Sequence, residues 1–376
     1  MRIVSLAFED KVRQWKLEPM TFGRLTLLVG ASGVGKTQIL NAIQLLVRVA
    51  SGQSLNGVHW SITFQTTPNN TYSWEGEFEK QPHYFDSWRE DSNPSNIRYE
   101  RLVQNGNVIV DRNENRVFLN GEEIVKLPRE RSVIEVLKEE EPIATIFHHF
   151  QLVTLNDYTN IERSIIYKKF DFNGEFKSIG DIRDSKEDSR TRLHLAYFIS
   201  SKDTFEVIKE TFLEVFPFVE DVKIAPTEYP TSPFYSKYSS LSIPLIQLKE
   251  KGVENWIDEF QISSGMYRTL LQISDLYLRA DGTVFLIDEF ENSLGINCID
   301  ELTTALVSHE RDLQFIITSH HPYIINNINY SNWKIVTRHG GVVTAHDADE
   351  FNLGKSKHQA FTQLINLDAY AEGVGA

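Results

Sequence analysis

The chain has 376 residues, 41% hydrophobic and 24% charged, which is ample for one large or two modest packed domains and shows no sign of global disorder. A net charge of −14 repels polyphosphate over most of a surface, so nucleic-acid contact would require a local basic patch. The single cysteine, Cys298, excludes an intramolecular disulfide and a cysteine zinc cluster. With no leader-like apolar run at the start and no membrane-length apolar stretch, the expected location is the cytoplasm, with no membrane partner.

In chain order, residues 2–8 and 14–18 read as short strands, and Arg24 to Val29 as a buried one. That strand runs into Gly30-Ala31-Ser32-Gly33-Val34-Gly35-Lys36-Thr37, a complete G-x-x-x-x-G-K-S/T phosphate loop. Its glycines let the backbone wrap with N–H groups aimed at phosphate oxygens. Lys36 can reach the β and γ phosphates, and the Thr37 hydroxyl can ligate Mg²⁺. A helix from Lys36 to about residue 50, with Ile39, Leu40, Ile43, Leu46 and Val47 at helical spacing, adds its positive dipole end to the same place. ATP with Mg²⁺ is therefore the expected ligand, contacted by Gly30 to Thr37 and by Gln38.

Next comes a β-rich stretch. Trp60 to Thr66 and Thr71 to Phe78 flank the turn signal Pro68-Asn69-Asn70. Residues 97–104, 107–111 and 116–118 are punctuated by Asn105-Gly106, Asn113-Glu114-Asn115 and Asn120-Gly121, the pattern of an antiparallel meander. Ser132 to Glu139 and Pro142 to Phe150 read as helices. Residues 155–240 are the least regular part: Tyr158 to Phe170 and Ser185 to Ile199 mix polar and apolar residues without a clear period. Thr204 to Val215 is an amphipathic helix with Phe205, Ile208, Phe212 and Val215 on one face, stopped by Pro217. Residues 226–240 read as a loop and Ile243 to Leu248 as a strand. No internal repeat and no sustained heptad run is present.

The second half carries three further motifs. Ser263-Ser264-Gly265 opens a long helical pattern through Leu270, Leu271, Ile273, Leu276 and Tyr277, and offers hydroxyls and backbone N–H groups to an anion. Val284-Phe285-Leu286-Ile287 is a buried-strand run ending in Asp288-Glu289. In a phosphate-loop enzyme the first carboxylate holds Mg²⁺ and the second polarises the attacking water. Leu313 to Thr318 is another apolar strand, ending in Ser319-His320-His321-Pro322; His320, preferred over His321, is the candidate contact to the γ-phosphate. The expected catalytic residues are thus Glu289, His320 and Lys36, and the metal ligands Thr37 and Asp288.

The order Gly30–Thr37, Ser263-Ser264-Gly265, Asp288-Glu289, His320 resembles the heads of ABC-type ATPases. The phrases Phe22-Gly23-Arg24-Leu25, Asp288-Glu289-Phe290-Glu291-Asn292-Ser293-Leu294 and Thr318-Ser319-His320-His321-Pro322 are similar to the stand-alone group comprising RecF, the SMC-like heads, the ATPase part of OLD proteins, and ATPases of anti-phage systems such as Septu. The resemblance implies an α/β P-loop head: a mixed parallel core sheet with an antiparallel β subdomain, plus an α-rich inserted region. It divides the chain into a first ATPase lobe (1–154), an inserted helical and loop region (155–242), a second lobe with signature, Walker B and histidine switch (243–345), and a tail (346–376). It also implies a homodimer that sandwiches ATP, extendable to a higher even oligomer. The Ser263-Ser264-Gly265 signature of one subunit would face the phosphate loop of the other, with the Leu294-Gly295 segment crossing the interface.

The sequence departs from the group at Ser32, where Asn is frequent, and at Gly295, where an acidic residue or His is common; Gln65 and Gln151 are both poorly placed for a Q-loop. Three functions stay open. One is an ATPase that regulates a separate nuclease-like effector in anti-phage defence. A second is a RecF-like repair ATPase touching DNA through Lys168-Lys169 and Arg190/Arg192, residues that read first as solvated charges. The third is a nucleotide-dependent scaffold with little turnover. Asp347, Asp349 and Glu350 are too few for a nuclease site, and residues 346–376 read as a solvated acidic tail.

Overall fold

Continuous apolar runs, alternating runs and amphipathic stretches become the elements of a computed structural model that describes residues 1–67, 70–81, 94–155, 176–198, 202–228, 242–291, 311–353 and 357–373. Strands β1 (Arg2–Asp10), β2 (Trp15–Thr21) and β3 (Leu25–Val29) precede helix α1 (Lys36–Ala50). The meander is β4 (Val58–Thr67), β5 (Asn70–Phe78), β6 (Ile97–Gln104), β7 (Asn107–Asn113), β8 (Val117–Leu119) and β9 (Glu122–Ile124). Helices α2 (Val133–Val136) and α3 (Ile143–Phe150) lead to β10 (Val153–Leu155). Then come α4 (Ile179–Asp184), α5 (Ser189–Phe198), α6 (Lys202–Val215), β11 (Val219–Glu228), β12 (Ser242–Glu250), β13 (Trp256–Asp258) and α7 (Ser264–Leu278). The chain continues through β14 (Val284–Ile287), β15 (Gln314–Thr318), α8 (Pro322–Asn327), β16 (Trp333–His339), β17 (Val342–Asp347), α9 (Lys357–Leu364) and α10 (Asp368–Ala371).

Two compact units result. One comprises Met1–Asn156, Asp281–Phe290 and Arg311–Ala376; the other comprises Asp157–Ala280 and Glu291–Glu310. Residues 243–345, expected as one lobe, are shared: β12, β13 and α7 lie in the second unit and β14 to β17 in the first.

The first unit is built on one sheet of order β10-β14-β15-β3-β16-β17-β2-β1-β4-β5-β6-β7-β8-β9. From β10 to β16 all neighbours are parallel. Strands β3, β14 and β15 are buried at every position, which is why their sequences are unbroken apolar runs rather than alternating ones. The β17 strand turns back antiparallel to β16 and runs parallel to β2, and from β2 onward the pairs are antiparallel. Helix α1 buries Ile39, Leu40, Ala42, Ile43, Leu46 and Val49 in this core; truncating Leu46 to alanine there costs about 2–5 kcal/mol. Helix α3 seals the meander through Phe150, whose ring lies 5.3 Å from both Phe64 and Trp74. The buried Glu100 ties β6 to α2 by accepting from Trp74 Nε1, Ser132 Oγ and Val133 N.

In the second unit, α5, α6 and α7 pack with a small β11-β12-β13 sheet. Phe205, Ile208, Phe212 and Val215 are buried, as the period of α6 predicts. Several sequence expectations are corrected here. Within Ser185 to Ile199, Ser189–Phe198 is regular: it forms α5, which buries Thr191 to Ala196 in succession, so polar residues sit on its buried faces and no amphipathic period survives. For the same reason Arg190 and Arg192 are neither DNA contacts nor solvated charges. Arg192 is 4% exposed and donates to the carbonyls of Ile182 and Ser185, while Arg190 is ion-paired with Glu259. Residues 226–228 extend β11, with Pro226 opposite Pro244, instead of starting a loop.

In the first unit the tail is packed. Ala348, Ala360 and Leu364 are buried, and Asp347 pairs with Lys334. Lys168-Lys169, Tyr158 to Phe170, Leu294-Gly295 and Cys298 lie outside the described residues.

Candidate functional site

Parallel pairing brings the phosphate loop and the acidic strand end to one edge of the sheet. Ile287 of β14 is level with Ile317 of β15, and Leu28 of β3 with Thr318, so the chain leaves all three strands at the same edge. In open α/β sheets this carboxyl edge is where ligands bind. Gly35 caps α1 in the left-handed region, at φ 110°, and a Cβ there would stand 2.9 Å from Val343 Cγ2. A side chain at this position would therefore meet both strain and a clash where the loop turns into the helix.

Lys36 is 5% exposed, and its ammonium donates to the carbonyls of Gly30 and Ala31 at 2.8 Å each. The loop thus holds its lysine against its own carbonyls. Thr37 Oγ1 donates to Asp288 Oδ1 at 3.2 Å, a contact between residues 251 positions apart. Thr318 Oγ1 donates to the same carboxylate oxygen at 2.6 Å and accepts from the Glu289 N–H at 2.8 Å. Phe290 N–H bonds the Thr318 carbonyl, so both residues after Asp288 are pinned to the end of β15. Glu289 is exposed and sits at φ 47°, a left-handed conformation that costs a non-glycine residue about 1–3 kcal/mol. The hydrogen bonds from Thr318 hold that turn in place.

Thr318 is the functional residue that motif reading missed. In the sequence it closes an apolar run and opens the phrase Thr318-Ser319-His320-His321-Pro322, but neither assigns it a role. His320 is exposed beyond the same strand, whereas His321 accepts from the Tyr323 N–H through Nδ1 and caps α8. Gln65 lies inside β4 and bonds Thr71; Gln151 follows α3 and bonds Ser51. Neither occupies the edge from which β10, parallel to β14, departs.

The C-terminal segment reaches the phosphate loop as well. Arg338 N–H donates to the Gly373 carbonyl at 2.8 Å. A Cβ on Gly373 would run into Val34 Cγ1 and come within 3.2 Å of Ala31 Cβ.

In the second unit, Ser263 caps α7, its hydroxyl accepting from the Met266 N–H at 3.3 Å. Ser263 and Ser264 are exposed and Gly265 is half-buried, so the helix start is presented to solvent.

The Thr37 hydroxyl and the Asp288 carboxylate are hard oxygen donors held side by side, which suits Mg²⁺, an ion that takes few protein ligands and fills its shell with phosphate and water. Among the described residues no group of three or more His, Cys, Asp or Glu forms a self-sufficient metal cage, and no helix is long and apolar enough to cross a membrane.

A family model described as "AAA domain, putative AbiEii toxin, Type IV TA system" matches residues 25–326. We found no match among curated proteins. Solved structures similar to this chain include an SmcHead bound to the C-winged helix domain of ScpA, 14% identical, covering 92% of this chain and 97% of that one with a TM-score of 0.49. The Smc head domain with an extended coiled coil bound to the C-terminal domain of ScpA from Pyrococcus furiosus is 15% identical, covering 93% and 98%, with a TM-score of 0.47. The SMC head domain from Thermotoga maritima is 12% identical, covering 92% and 99%, with a TM-score of 0.40. With its phosphate loop and the family match over most of its length, the chain belongs to the family described as AAA domain, putative AbiEii toxin, Type IV TA system, and carries the phosphate loop of a P-loop NTPase.

Proposed function

We propose that the chain binds and hydrolyses ATP with Mg²⁺, that two copies close on the nucleotide, and that this dimer controls a separate nuclease-type effector in anti-phage defence. The observation that carries the reading is the hydrogen-bonded group Thr37–Asp288–Thr318–Glu289 at the carboxyl edge of the sheet, with Thr37 next to Lys36 in the chain.

In this reading Lys36 exchanges its two loop carbonyls for β- and γ-phosphate oxygens, and the loop N–H groups and the α1 N-terminus hold the rest of the polyphosphate. Thr37 and Asp288 would hold Mg²⁺, which neutralises charge on the phosphate oxygens when bound. Glu289, aimed outward by its left-handed turn, accepts a proton from the attacking water. His320 contacts the γ-phosphate from the next strand. Ser263, Ser264 and Gly265 supply hydroxyl and N–H donors to the γ-phosphate held by the second copy. ATP then acts as glue and hydrolysis as release. The family's toxin–antitoxin description supports a role in which the ATPase restrains or unleashes an effector.

Direct binding and phosphate-release assays test the first step. Wild-type protein should bind ATP·Mg²⁺ and release phosphate, and Lys36→Ala should lose binding. A wild-type chain that binds but releases no phosphate would make it a scaffold. Purification from the native host with ATP should bring down a second protein with nuclease motifs; DNA alone would favour the repair reading.

A further inference from the structure

The second unit contains a buried ion pair that the phosphate chemistry does not use, and it lies directly behind the exposed signature serines. Glu259 has no exposed surface. Its carboxylate accepts from Arg190 Nε at 2.5 Å and Nη2 at 3.0 Å, from the Tyr267 hydroxyl at 2.6 Å, and from the Ile246 N–H at 3.3 Å. Burial alone would favour the neutral acid, but the hydrogen bonds and charge of Arg190, with the Tyr267 hydroxyl, outweigh it and hold the carboxyl below its ordinary value. His194, one turn along α5 from Arg190, spans the carbonyls of Arg190 and Pro244 at 2.8 and 3.1 Å, joining α5 to β12. Burial holds that imidazole below its ordinary value, with the Arg190 charge acting in the same direction.

The chain between Glu259 and Tyr267 is short and held at each step. Gln261 and Ile262 N–H groups bond the Asp258 carbonyl, Ile262 is buried, and Tyr267 N–H bonds the Ser263 carbonyl. Ser263-Ser264-Gly265 therefore sits on a turn whose two ends, Glu259 and Tyr267, meet at one carboxylate. A bidentate arginine–carboxylate pair fixes direction as well as distance. Apolar packing would stabilise the unit equally well, so stability alone does not account for an ion pair at this place.

We propose that Glu259, Arg190 and Tyr267 are positioning residues for the signature, setting the direction in which Ser263 and Ser264 present their donors to nucleotide held by a second copy. This inference rests on the ATP-sandwich reading above. It makes α5 a part of the dimerisation machinery.

The test compares Glu289→Gln with Glu289→Gln/Tyr267→Phe by analytical ultracentrifugation, with and without ATP·Mg²⁺. Nucleotide affinity under dilute, monomeric conditions and melting temperature are measured alongside. Tyr267→Phe keeps the ring and removes one hydrogen bond to a charged group. ATP-driven dimerisation should weaken by about tenfold while monomer affinity stays level and the melting temperature falls only by the few degrees that one buried hydrogen bond to a charge is worth, leaving the chain folded at the assay temperature. Arg190→Lys, which keeps the charge but not the fork, should do the same, and in an otherwise wild-type chain both should lower kcat more than they raise KM. Unchanged dimerisation in both variants overturns the positioning role. If instead Glu289→Gln alone fails to dimerise with ATP, the sandwich reading itself falls and takes this inference with it.

Discussion

At the residue scale the site turns on one threonine. Thr318 donates a hydrogen bond to Asp288 and accepts one from the Glu289 backbone N–H, so a single hydroxyl sets both the metal-side carboxylate and the strained turn at Glu289. Thr318→Val preserves shape and burial and removes both bonds. It should leave metal-free nucleotide binding intact, raise the Mg²⁺ needed for half-maximal activity, and lower turnover by roughly 10- to 100-fold, the usual cost of losing a partner that orients a metal ligand. Unchanged turnover and Mg²⁺ dependence would show that Asp288 and Glu289 are held without it. Lys36, Thr37, Asp288 and Glu289 were legible in the sequence because phosphate and metal chemistry demands those types at those spacings. Thr318 was not, since one polar residue at the end of an apolar strand carries no distinguishing spacing. Arg190 and Arg192 misread for the converse reason: a charge in sequence does not reveal whether a buried acceptor awaits it.

At the element scale the segments that announced themselves bury one clean face or every face. The period of α6, the unbroken runs of β3, β14 and β15, and the punctuated meander are of this kind. Helix α5 was hidden because polar side chains on its buried faces find hydrogen-bond partners there, which erases the period. Strands β16 and β17 and the segment carrying Gly373 were hidden because they are read only through distant partners: β16 pairs with β3, and Gly373 packs on Val34. That last contact predicts an effect from the far end of the chain. Gly373→Val inserts a branched side chain against Val34 and Ala31 at a backbone φ of 70°. Overpacking of this kind costs about 1–3 kcal/mol. If the loop takes up the strain, ATP affinity falls by roughly tenfold, and Val34→Ala in the same chain restores part of it. Equal ATP affinity in Gly373→Val and wild type would show that the segment moves away instead.

At the scale of the whole molecule, the proposed function assigns each unit a different half of a nucleotide site. The first holds the phosphate loop, Asp288 and Glu289 around a sheet edge; the second presents Ser263 and Ser264 at an exposed helix start backed by a buried ion pair. The sequence order of these motifs shows a head of the ABC type, but pairing is what assembles it. The insertion of β3 between β15 and β16 joins segments roughly 300 residues apart, and no local pattern encodes that. In the proposed sandwich the phosphate loop of one copy and the signature of a second complete the site on ATP, and a chain that binds ATP without hydrolysing it should be trapped in that state. The most direct measurement is the native mass of Glu289→Gln with ATP·Mg²⁺, with ADP, and without nucleotide. The account predicts a dimer or higher even assembly with ATP only, and a monomer otherwise. A mass indifferent to nucleotide, or loss of ATP binding in this variant, would contradict it.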